Sequence, residues 1–201
     1  MMQAPTQVGE AGDAVLTADH VVHSALESEE TSTSVRVIGA LSEIGDQPQL
    51  RLVCGALFVL ALVRKDVRLL TASARMILAH EAATAAKNAV KDRVDRRRPR
   101  SARNKAQEAP RPGAASGKEE TSFPSGHSAG SMAVACAFCA VYPEYRAPAL
   151  LSAGTVALVQ VPRGAHYLSD VGAGLAIGAA ASGLVGAAWQ TVRRLSAPWW
   201  R

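Results

Sequence analysis

The stretch Val171 to Val192, VGAGLAIGAAASGLVGAAWQTV, is the longest charge-free apolar run in the chain. An α-helix needs roughly 20 apolar residues to cross the hydrocarbon core of a bilayer, and this run has that length. It is rich in alanine and glycine, and Gly174-x3-Gly178 gives it a small face on which another helix can pack closely. The run therefore predicts a membrane bundle of closely packed helices rather than a water-soluble sandwich.

The eight letters before this run, RGAHYLSD from Arg163 to Asp170, place a histidine four positions before an aspartate. If the stretch is helical, His166 and Asp170 lie one turn apart on the same face. Asp170 can then accept a hydrogen bond from one ring nitrogen and leave the other free, which prepares a histidine as a nucleophile or general base. A lone His-x3-Asp pair is also common as a structural pair at a helix start, so residues elsewhere must decide.

Other apolar segments predict the rest of the bundle. The predicted helices cover 50–63, 67–90, 125–142, 147–161 and 168–192. Because successive helices alternate in direction, the polar 91–122 loop, the helix start at Ser125 and the His166 region should meet at one end. The predicted fold class is all-α, an integral membrane bundle of about five to six helices with a polar active-site loop.

Composition divides the chain of 201 residues into three parts. Residues 1–49 are polar and acidic, with possible interfacial helices such as 14–26, whereas 35–44 is too short to span a bilayer. Residues 50–195 carry the apolar helices, and 196–201 form a carboxy-terminal tail. No basic segment followed by a short apolar core opens the sequence, so we expect internal helices to bring the protein to the membrane.

The formal net charge is +5, and the basic residues concentrate between Lys91 and Arg111. Such a block can meet nucleic acid, anionic lipid or a phosphate-bearing substrate. Taken alone, the run Arg96 to Arg100 resembles a nucleic-acid patch. Its position in the chain must distinguish these alternatives.

The remaining metal-ligating residue types form no recognisable framework. Cys136-x2-Cys139 lacks a second pair of ligands, and an odd total of three cysteines favours free thiols. His20 and His23 have no accompanying carboxylate motif, so we expect solvated or packed side chains. His80 lies on an apolar helix, where a core or cavity-lining position is expected.

Three polar clusters occur in a fixed order. They are Lys-x6-Arg-Pro from Lys91 to Pro99, Pro-Ser-Gly-His from Pro124 to His127, and His166-x3-Asp170. Pro-Ser-Gly-His alone is a weak indication, but three ordered motifs are a strong one. Together they resemble the type 2 phosphatidic acid phosphatase (PAP2) superfamily, which also includes bacterial acid phosphatases and vanadium haloperoxidases. The resemblance extends over roughly 50–189 and implies a PAP2-like membrane phosphatase domain over 50–195.

The same residues make chemical sense on their own. Lys91 and Arg98 offer a point charge and a planar fork for phosphate oxygens. Ser125 and Gly126 open a helix, where free backbone N–H groups and the helix dipole attract the same anion. His127 is placed to protonate a leaving oxygen. Fixed cations would supply the charge neutralisation that a metal ion otherwise gives, so we expect no metal and no other cofactor.

The resemblance implies that His166 is the nucleophile that becomes transiently phosphorylated. It also implies roles for Asp170 as its orienting partner and for His127 as the general acid. The implied phosphate pocket consists of Lys91, Arg98, Ser125 and Gly126.

One position departs from the pattern, because the family usually has an arginine six residues before the nucleophile and this chain has Gln160. Either Arg163 replaces that arginine, or the pocket is weaker or tuned to another substrate. The other arginines of the basic run are expected at the surface or against lipid headgroups: Arg93, Arg96, Arg97 and Arg103.

The sequence thus predicts a metal-independent membrane phosphatase that hydrolyses a lipid phosphomonoester or diphosphate through a phosphohistidine. Polyprenyl diphosphate, phosphatidic acid, phosphatidylglycerol phosphate and lipid A phosphates all remain open as substrates. The alternatives are a vanadate-dependent haloperoxidase-like enzyme and a non-catalytic lipid-phosphate binder or transporter. The expected partners are the lipid substrate and the membrane, not nucleic acid, and the oligomeric state is open. We expect a bacterial inner-membrane protein whose site faces the periplasm, because the acidic amino-terminal region fits export.

Overall fold

A computed structural model of the protein describes residues 7–102, 104–115 and 117–196, so Arg103 and all but the first residue of the predicted tail lie outside the described part. The helices are α1 Gln7–Leu26, α2 Thr33–Ser42, α3 Gln47–Arg64, α4 Val67–Lys91, α5 Lys105–Glu108, α6 Gly126–Cys139, α7 Arg146–Leu158 and α8 Leu168–Leu195. Two short antiparallel strands, β1 Val94–Asp95 and β2 Arg111–Pro112, pair inside the predicted polar loop.

The predicted helices of the bundle match α3, α4, α6, α7 and α8, and side-chain caps set the starts of α3, α4 and α6. Asp46 accepts a hydrogen bond from the Gln47 backbone N–H at 3.0 Å, so α3 begins three residues before the predicted start. Asp66 caps α4 by accepting from the Leu69 N–H at 2.9 Å. Between them, Lys65 takes a left-handed conformation (φ 55°) that ends α3 and reverses the chain.

α6 lies at the centre of the bundle and packs against α4, α7 and α8. Glycines let α8 approach α6 closely, as the sequence predicted. A Cβ atom added at Gly178 would lie 2.3 Å from the Ala129 carbonyl oxygen, and one at Gly174 would lie 2.5 Å from the Ser125 carbonyl oxygen. Any larger residue there would force the two helices apart.

The outside of the bundle is apolar, as expected for a membrane protein. Large exposed apolar side chains occur on α3, α7 and α8: Leu52, Val59, Leu62, Val63, Leu151, Leu158, Leu184 and Val192. Among the described helices, α3 with 18 residues and α8 with 28 are long and apolar enough to cross a bilayer. α6 has 14 residues, about 21 Å at 1.5 Å per residue. The structure therefore shows the predicted alternation of helices, but not five full-length spans.

The predicted 91–122 loop is held by backbone hydrogen bonds between its two halves. The Arg96 and Arg98 N–H groups donate to the Glu120 and Glu119 carbonyl oxygens at 2.8 and 2.9 Å. The Ser122 N–H returns a bond of 2.9 Å to the Arg96 carbonyl oxygen. The described part of the loop forms a cap over the same end of the bundle as the starts of α6 and α8, which confirms the predicted convergence.

The amino-terminal region packs on this polar end as well. Val22 and Leu26 of α1 join a core cluster made by Ala157, Val161 and Val171. The turn after α2 crosses the end of the bundle, where a Cβ atom at Gly45 would lie 3.6 Å from His127 Cδ2. The described residues of the amino-terminal region, 7–49, thus contribute to the polar end, and an interfacial location of their helices stays a prediction.

Candidate functional site

A pocket of about 210 Å³ opens at the polar end of the bundle. Basic side chains dominate its wall: Lys87, Lys91, Arg98, Arg100, Lys118 and Arg163. Gly126, His127 and His166 also line it, and Glu43 and Asp46 face them from the amino-terminal region. Six of the eight predicted site residues therefore share one pocket, and the excess of cations suits an anionic ligand.

His166 lies between α7 and α8, with 3 % of its surface exposed. The Gln160 carbonyl oxygen accepts hydrogen bonds from the Ala165 and His166 N–H groups at 3.1 and 3.2 Å, and Gly164 supplies the positive φ (59°) that this turn requires. Burial lowers the pKa of His166 to about 4, against the opposite effect of Asp170. The imidazole is therefore neutral near pH 7, as a nucleophile must be.

Asp170 reaches His166 by a route that differs from the predicted one. α8 begins at Leu168, so His166 precedes the helix and is not one helical turn from Asp170. Asp170 Oδ2 instead caps the helix by accepting from the Tyr167 N–H at 3.0 Å. The same oxygen accepts from the Ser122 hydroxyl at 2.5 Å and lies 3.6 Å from His166 Nδ1. The carboxylate is buried and faces Nδ1, which leaves Nε2 as the ring nitrogen for attack.

Lys91 and Arg98 approach the pocket from the end of α4 and from the loop. Lys91 Nζ donates to the Thr121 carbonyl oxygen. Arg98 Nε donates to the Lys118 carbonyl oxygen at 2.8 Å, and Arg98 Nη1 donates to the Ala165 carbonyl oxygen at 3.0 Å. Burial lowers the pKa of Arg98, but a guanidinium group keeps its charge in proteins. These bonds fix both cations beside the His166 turn.

The two predicted residues at the start of α6, Ser125 and Gly126, differ in position: Ser125 is buried beneath the pocket wall, whereas Gly126 lines the pocket. Ser125 is fully buried, its hydroxyl caps α6, and its backbone N–H donates to the Asp170 carbonyl oxygen at 3.0 Å. It joins the starts of α6 and α8, and its direct contact with phosphate stays a prediction. Gly126 and His127 line the pocket. His127 Nε2 has no hydrogen-bond partner among the described residues and lies 4.0 Å from Glu43 Oε2.

Arg163 lines the pocket and is held by three neighbours. Its Nη1 donates to the Ser42 hydroxyl at 3.1 Å and to Gln160 Oε1 at 3.3 Å, and its Nη2 donates to Glu43 Oε1 at 2.6 Å. Gln160 is 1 % exposed and also donates to Ser42 Oγ at 3.1 Å. Gln160 thus supports Arg163, and whether Arg163 takes the place of the expected arginine stays a prediction.

The expectation that Arg96 lies at the surface was wrong. Its side chain is 1 % exposed, its Nη1 donates to Asp170 Oδ1 at 2.6 Å, and its Nη2 donates to Asp19 Oδ2 at 2.7 Å. In an extended segment side chains alternate, so Arg96 and Arg98 point inward while Arg97 points outward and pairs with Glu120 at 3.7 Å. This alternation is a sequence feature that could have identified Arg96.

Sequence reasoning also missed residues with weaker indications. Lys87 is buried and lines the pocket, and its place one helical turn before Lys91 could have revealed it. Asp19, Glu43 and Ser122 carry no motif and reach the site only through the tertiary fold. Arg93 is exposed, as expected.

The other histidines are packed. His20 Nδ1 pairs with Glu108 at 3.1 Å, His23 packs edge-on against the Tyr167 ring at 6.1 Å, and His80 is 1 % exposed in the bundle. Among the described residues, Glu43, Asp46 and His127 form one group whose ligand-type atoms lie within 4.8 Å of one another. Glu43 of this group already pairs with Arg163, and the expectation that the site holds no metal stays a prediction.

A buried neutral histidine, backed by a carboxylate and facing fixed lysine and arginine side chains in an all-α bundle, has the charge and geometry that suit a phosphate-like oxyanion. The chain matches the PAP2 superfamily over residues 69–194, and it belongs to that superfamily.

Relatives of known function match a shorter part of the chain. It is 48 % identical over 58 residues to a lipid A 1-phosphatase of Rhizobium johnstonii, which is 29 % of this chain and 24 % of that protein. It is 47 % identical over 57 residues to a lipid A 1-phosphatase of Rhizobium etli, covering 28 % of this chain and 25 % of that protein. The matched stretch therefore spans about a quarter of either relative's length.

A solved structure has the same fold. The transmembrane PAP2-type phosphatidylglycerolphosphate phosphatase from Bacillus subtilis superimposes with a TM-score of 0.65 at 20 % sequence identity. The alignment covers 94 % of this chain and 90 % of that chain.

Proposed function

We propose that this protein is a membrane phosphatase that removes a phosphate group from a lipid through a phosphohistidine at His166. The observation that carries the proposal is the buried, neutral imidazole of His166 between the Asp170 carboxylate and the basic wall of the pocket. The activities named for the Rhizobium and Bacillus relatives agree with it.

The first chemical step transfers the phosphoryl group to the enzyme. His166 Nε2 attacks phosphorus, the N–P bond forms, and the bond from phosphorus to the lipid oxygen breaks. His127 donates the proton that the departing oxygen needs. Asp170 stabilises the positive charge that develops on the His166 ring, while Lys91 and Arg98 neutralise the phosphoryl oxygens.

The second step releases inorganic phosphate. A water molecule takes the position of the departed lipid, and His127, now neutral, accepts its proton. The water oxygen attacks phosphorus and the N–P bond breaks, which returns His166 to its neutral form. Because fixed cations stabilise the charge in both steps, the reaction needs no metal ion.

A lipid substrate fits the surroundings of the pocket. A neighbouring apolar groove of about 270 Å³ runs between α3, α6 and α7, and Ile44 and Gly45 at its edge adjoin Glu43 and Asp46 in the pocket wall. The groove has room for part of an acyl or isoprenyl chain, while the phosphate reaches the cations.

We propose that the protein lies in a bacterial inner membrane with this polar end toward the periplasm.

The test is phosphate release by the purified protein in detergent. The substrates are phosphatidic acid, phosphatidylglycerol phosphate, polyprenyl diphosphate and lipid A, each assayed with and without EDTA. We expect release from at least one of them, unaffected by EDTA, and loss of release in His166→Ala. A His166→Ala protein that is as active as the unmodified chain would contradict the proposal. Binding without release would favour the lipid-phosphate binder, and vanadate-dependent bromide oxidation would favour the haloperoxidase-like alternative.

A further inference from the structure

Asp19, on α1, is a buried carboxylate at the back of the proposed active site, with 2 % of its surface exposed. Its Oδ1 accepts from the Ser169 N–H at 2.9 Å, and its Oδ2 accepts from the Ser169 hydroxyl at 2.5 Å. Its Oδ2 also lies 2.7 Å from Arg96 Nη2. Asp19 lies outside the residues 69–194 that match the superfamily.

Arg96 connects Asp19 to Asp170. Its Nη1 donates to Asp170 Oδ1 at 2.6 Å and to the Ser169 hydroxyl at 2.7 Å. Its Nε donates to the Glu108 carbonyl oxygen at 2.7 Å, and its guanidinium carbon lies 4.0 Å from the centre of the Tyr167 ring. The guanidinium group is therefore fixed in one plane between two carboxylates.

We propose that Asp19 is a positioning residue for catalysis, acting on His166 through Arg96 and Asp170; this rests on the proposed function. Two effects support it. The first effect is positional: Asp19 holds Arg96 and Ser169 from the side opposite Asp170, so the Asp170 carboxylate keeps the plane in which Oδ2 faces His166 Nδ1. The second effect is electrostatic: without Asp19, the positive charge of Arg96 would cancel the negative charge of Asp170.

The second carboxylate changes that electrostatic balance. With Asp19 present, the two carboxylates and Arg96 carry a net charge of about −1, so a negative charge remains for the His166 imidazolium. That imidazolium forms only when phosphorus is attacked. The contribution of Asp19 therefore belongs to the chemical step, and the phosphate pocket of Lys91 and Arg98 does not depend on it.

The experiment compares Asp19→Asn with Asp13→Asn, an exposed carboxylate on the same helix, and with Asp19→Glu, which restores the charge. It measures kcat and KM on the best lipid of the panel, and inhibition by orthophosphate. We expect Asp19→Asn to lower kcat about tenfold, as loss of a supporting hydrogen-bond partner commonly does. KM and the orthophosphate Ki should stay within about twofold, because Lys91 and Arg98 still bind the anion. Asp13→Asn should match the unmodified enzyme, and Asp19→Glu should recover part of the lost kcat.

The results that overturn the inference are distinct from those that overturn the proposed function. If Asp19→Asn keeps full kcat while His166→Ala is inactive, the inference is contradicted and the proposed function stands. The same holds if Asp19→Asn loses kcat and phosphate binding to an equal extent. An active His166→Ala removes the proposed function and the inference with it.

If Asp19→Asn does not fold, Ser169→Ala replaces it, because it removes only the hydroxyl between Asp19 and Arg96. About a threefold loss of kcat with unchanged Ki is then expected, because the two hydrogen bonds of this hydroxyl, to Asp19 and from Arg96, are lost while the direct Asp19–Arg96 ion pair remains. Unchanged kcat in that variant would contradict the inference.

Discussion

Arg163 Nη2 lies 2.6 Å from Glu43 Oε1, so the cation that could replace the expected arginine is paired with a carboxylate of the amino-terminal region. Gln160, at the position where that arginine was expected, is buried and accepts a hydrogen bond from the same guanidinium group. A phosphate group and Glu43 would compete for Arg163. Phosphate affinity should therefore depend on this ion pair.

Glu43→Gln should strengthen phosphate binding by freeing Arg163. Both groups are partly exposed, so the effect is small, about a threefold decrease in the orthophosphate Ki. The same substitution made in an Arg163→Ala background should have no effect, because the freed partner is then missing. An equal decrease in both backgrounds would show that Glu43 acts through general repulsion and not through Arg163.

Arg98 should be needed for phosphate binding, whereas the exposed Arg93 of the same loop should not. Arg98→Ala removes a half-buried charged donor and should reduce kcat/KM about a hundredfold or more. Arg93→Ala provides the matched control, since it removes the same charge outside the pocket. Steady-state kinetics on one lipid phosphate give both values, and similar losses in the two variants would indicate that the loop supplies only diffuse charge.

The His166 ring should stay neutral well below the usual range for histidine. Its pKa of about 4 predicts no titration between pH 7.5 and 5.5, where an exposed histidine with a pKa near 6.5 gains its proton. Between pH 6.5 and 4 the unfolded chain then binds more protons at His166 than the folded chain does. This difference in proton binding lowers the free energy of unfolding as the pH falls.

Nuclear magnetic resonance of ¹⁵N-labelled histidine side chains measures this directly, with His166→Asn to identify the signal. A signal of His166 that titrates near pH 6.5 would contradict the burial argument.

Gly178→Ala should destabilise the bundle by forcing α8 away from α6. The added Cβ would lie 2.3 Å from the Ala129 carbonyl oxygen, and such overpacking costs about 1 to 3 kcal/mol. Gly183→Ala on the same helix is the control, because nothing lies within 4 Å of its added Cβ. Thermal unfolding in detergent should show a lower Tm for Gly178→Ala but not for Gly183→Ala. Equal Tm values for the two variants would contradict the claim that the close approach of α8 to α6 stabilises the bundle.

The helices of the bundle were predictable because they depend on local features, apolar runs and Gly-x3-Gly spacing, whereas the Asp46 cap that begins α3 three residues early was not predicted. The convergence of the three motifs was predictable from the alternation of helix directions. The contact of Asp170 with His166 was predicted for the wrong reason, since Asp170 caps α8 and His166 lies before it.

The rest of the site depends on contacts between residues far apart in the chain. Asp19 meets Arg96 across 77 positions and Glu43 meets Arg163 across 120, and no periodicity within either segment encodes such pairs. From sequence alone, a run of arginines predicts exposed side chains, and only the fold shows which of them point into the protein. Arg98 was predicted as a site residue from the Lys-x6-Arg-Pro motif, whereas Arg96 is identified only by the fold, in which the 91–122 segment lies extended along its partner and Arg96 reaches Asp170.

The most direct test of the account is to trap the phosphorylated enzyme. Protein mixed with a ³²P-labelled lipid phosphate and quenched in alkali should carry label that is stable to base, released by acid, and mapped to the peptide containing His166. His127→Ala should retain more label than the unmodified chain if water attack is slowed more than phosphoryl transfer, and His166→Ala should carry none. Rapid phosphate release with no label on His166, or with label on another residue, would contradict the central claim.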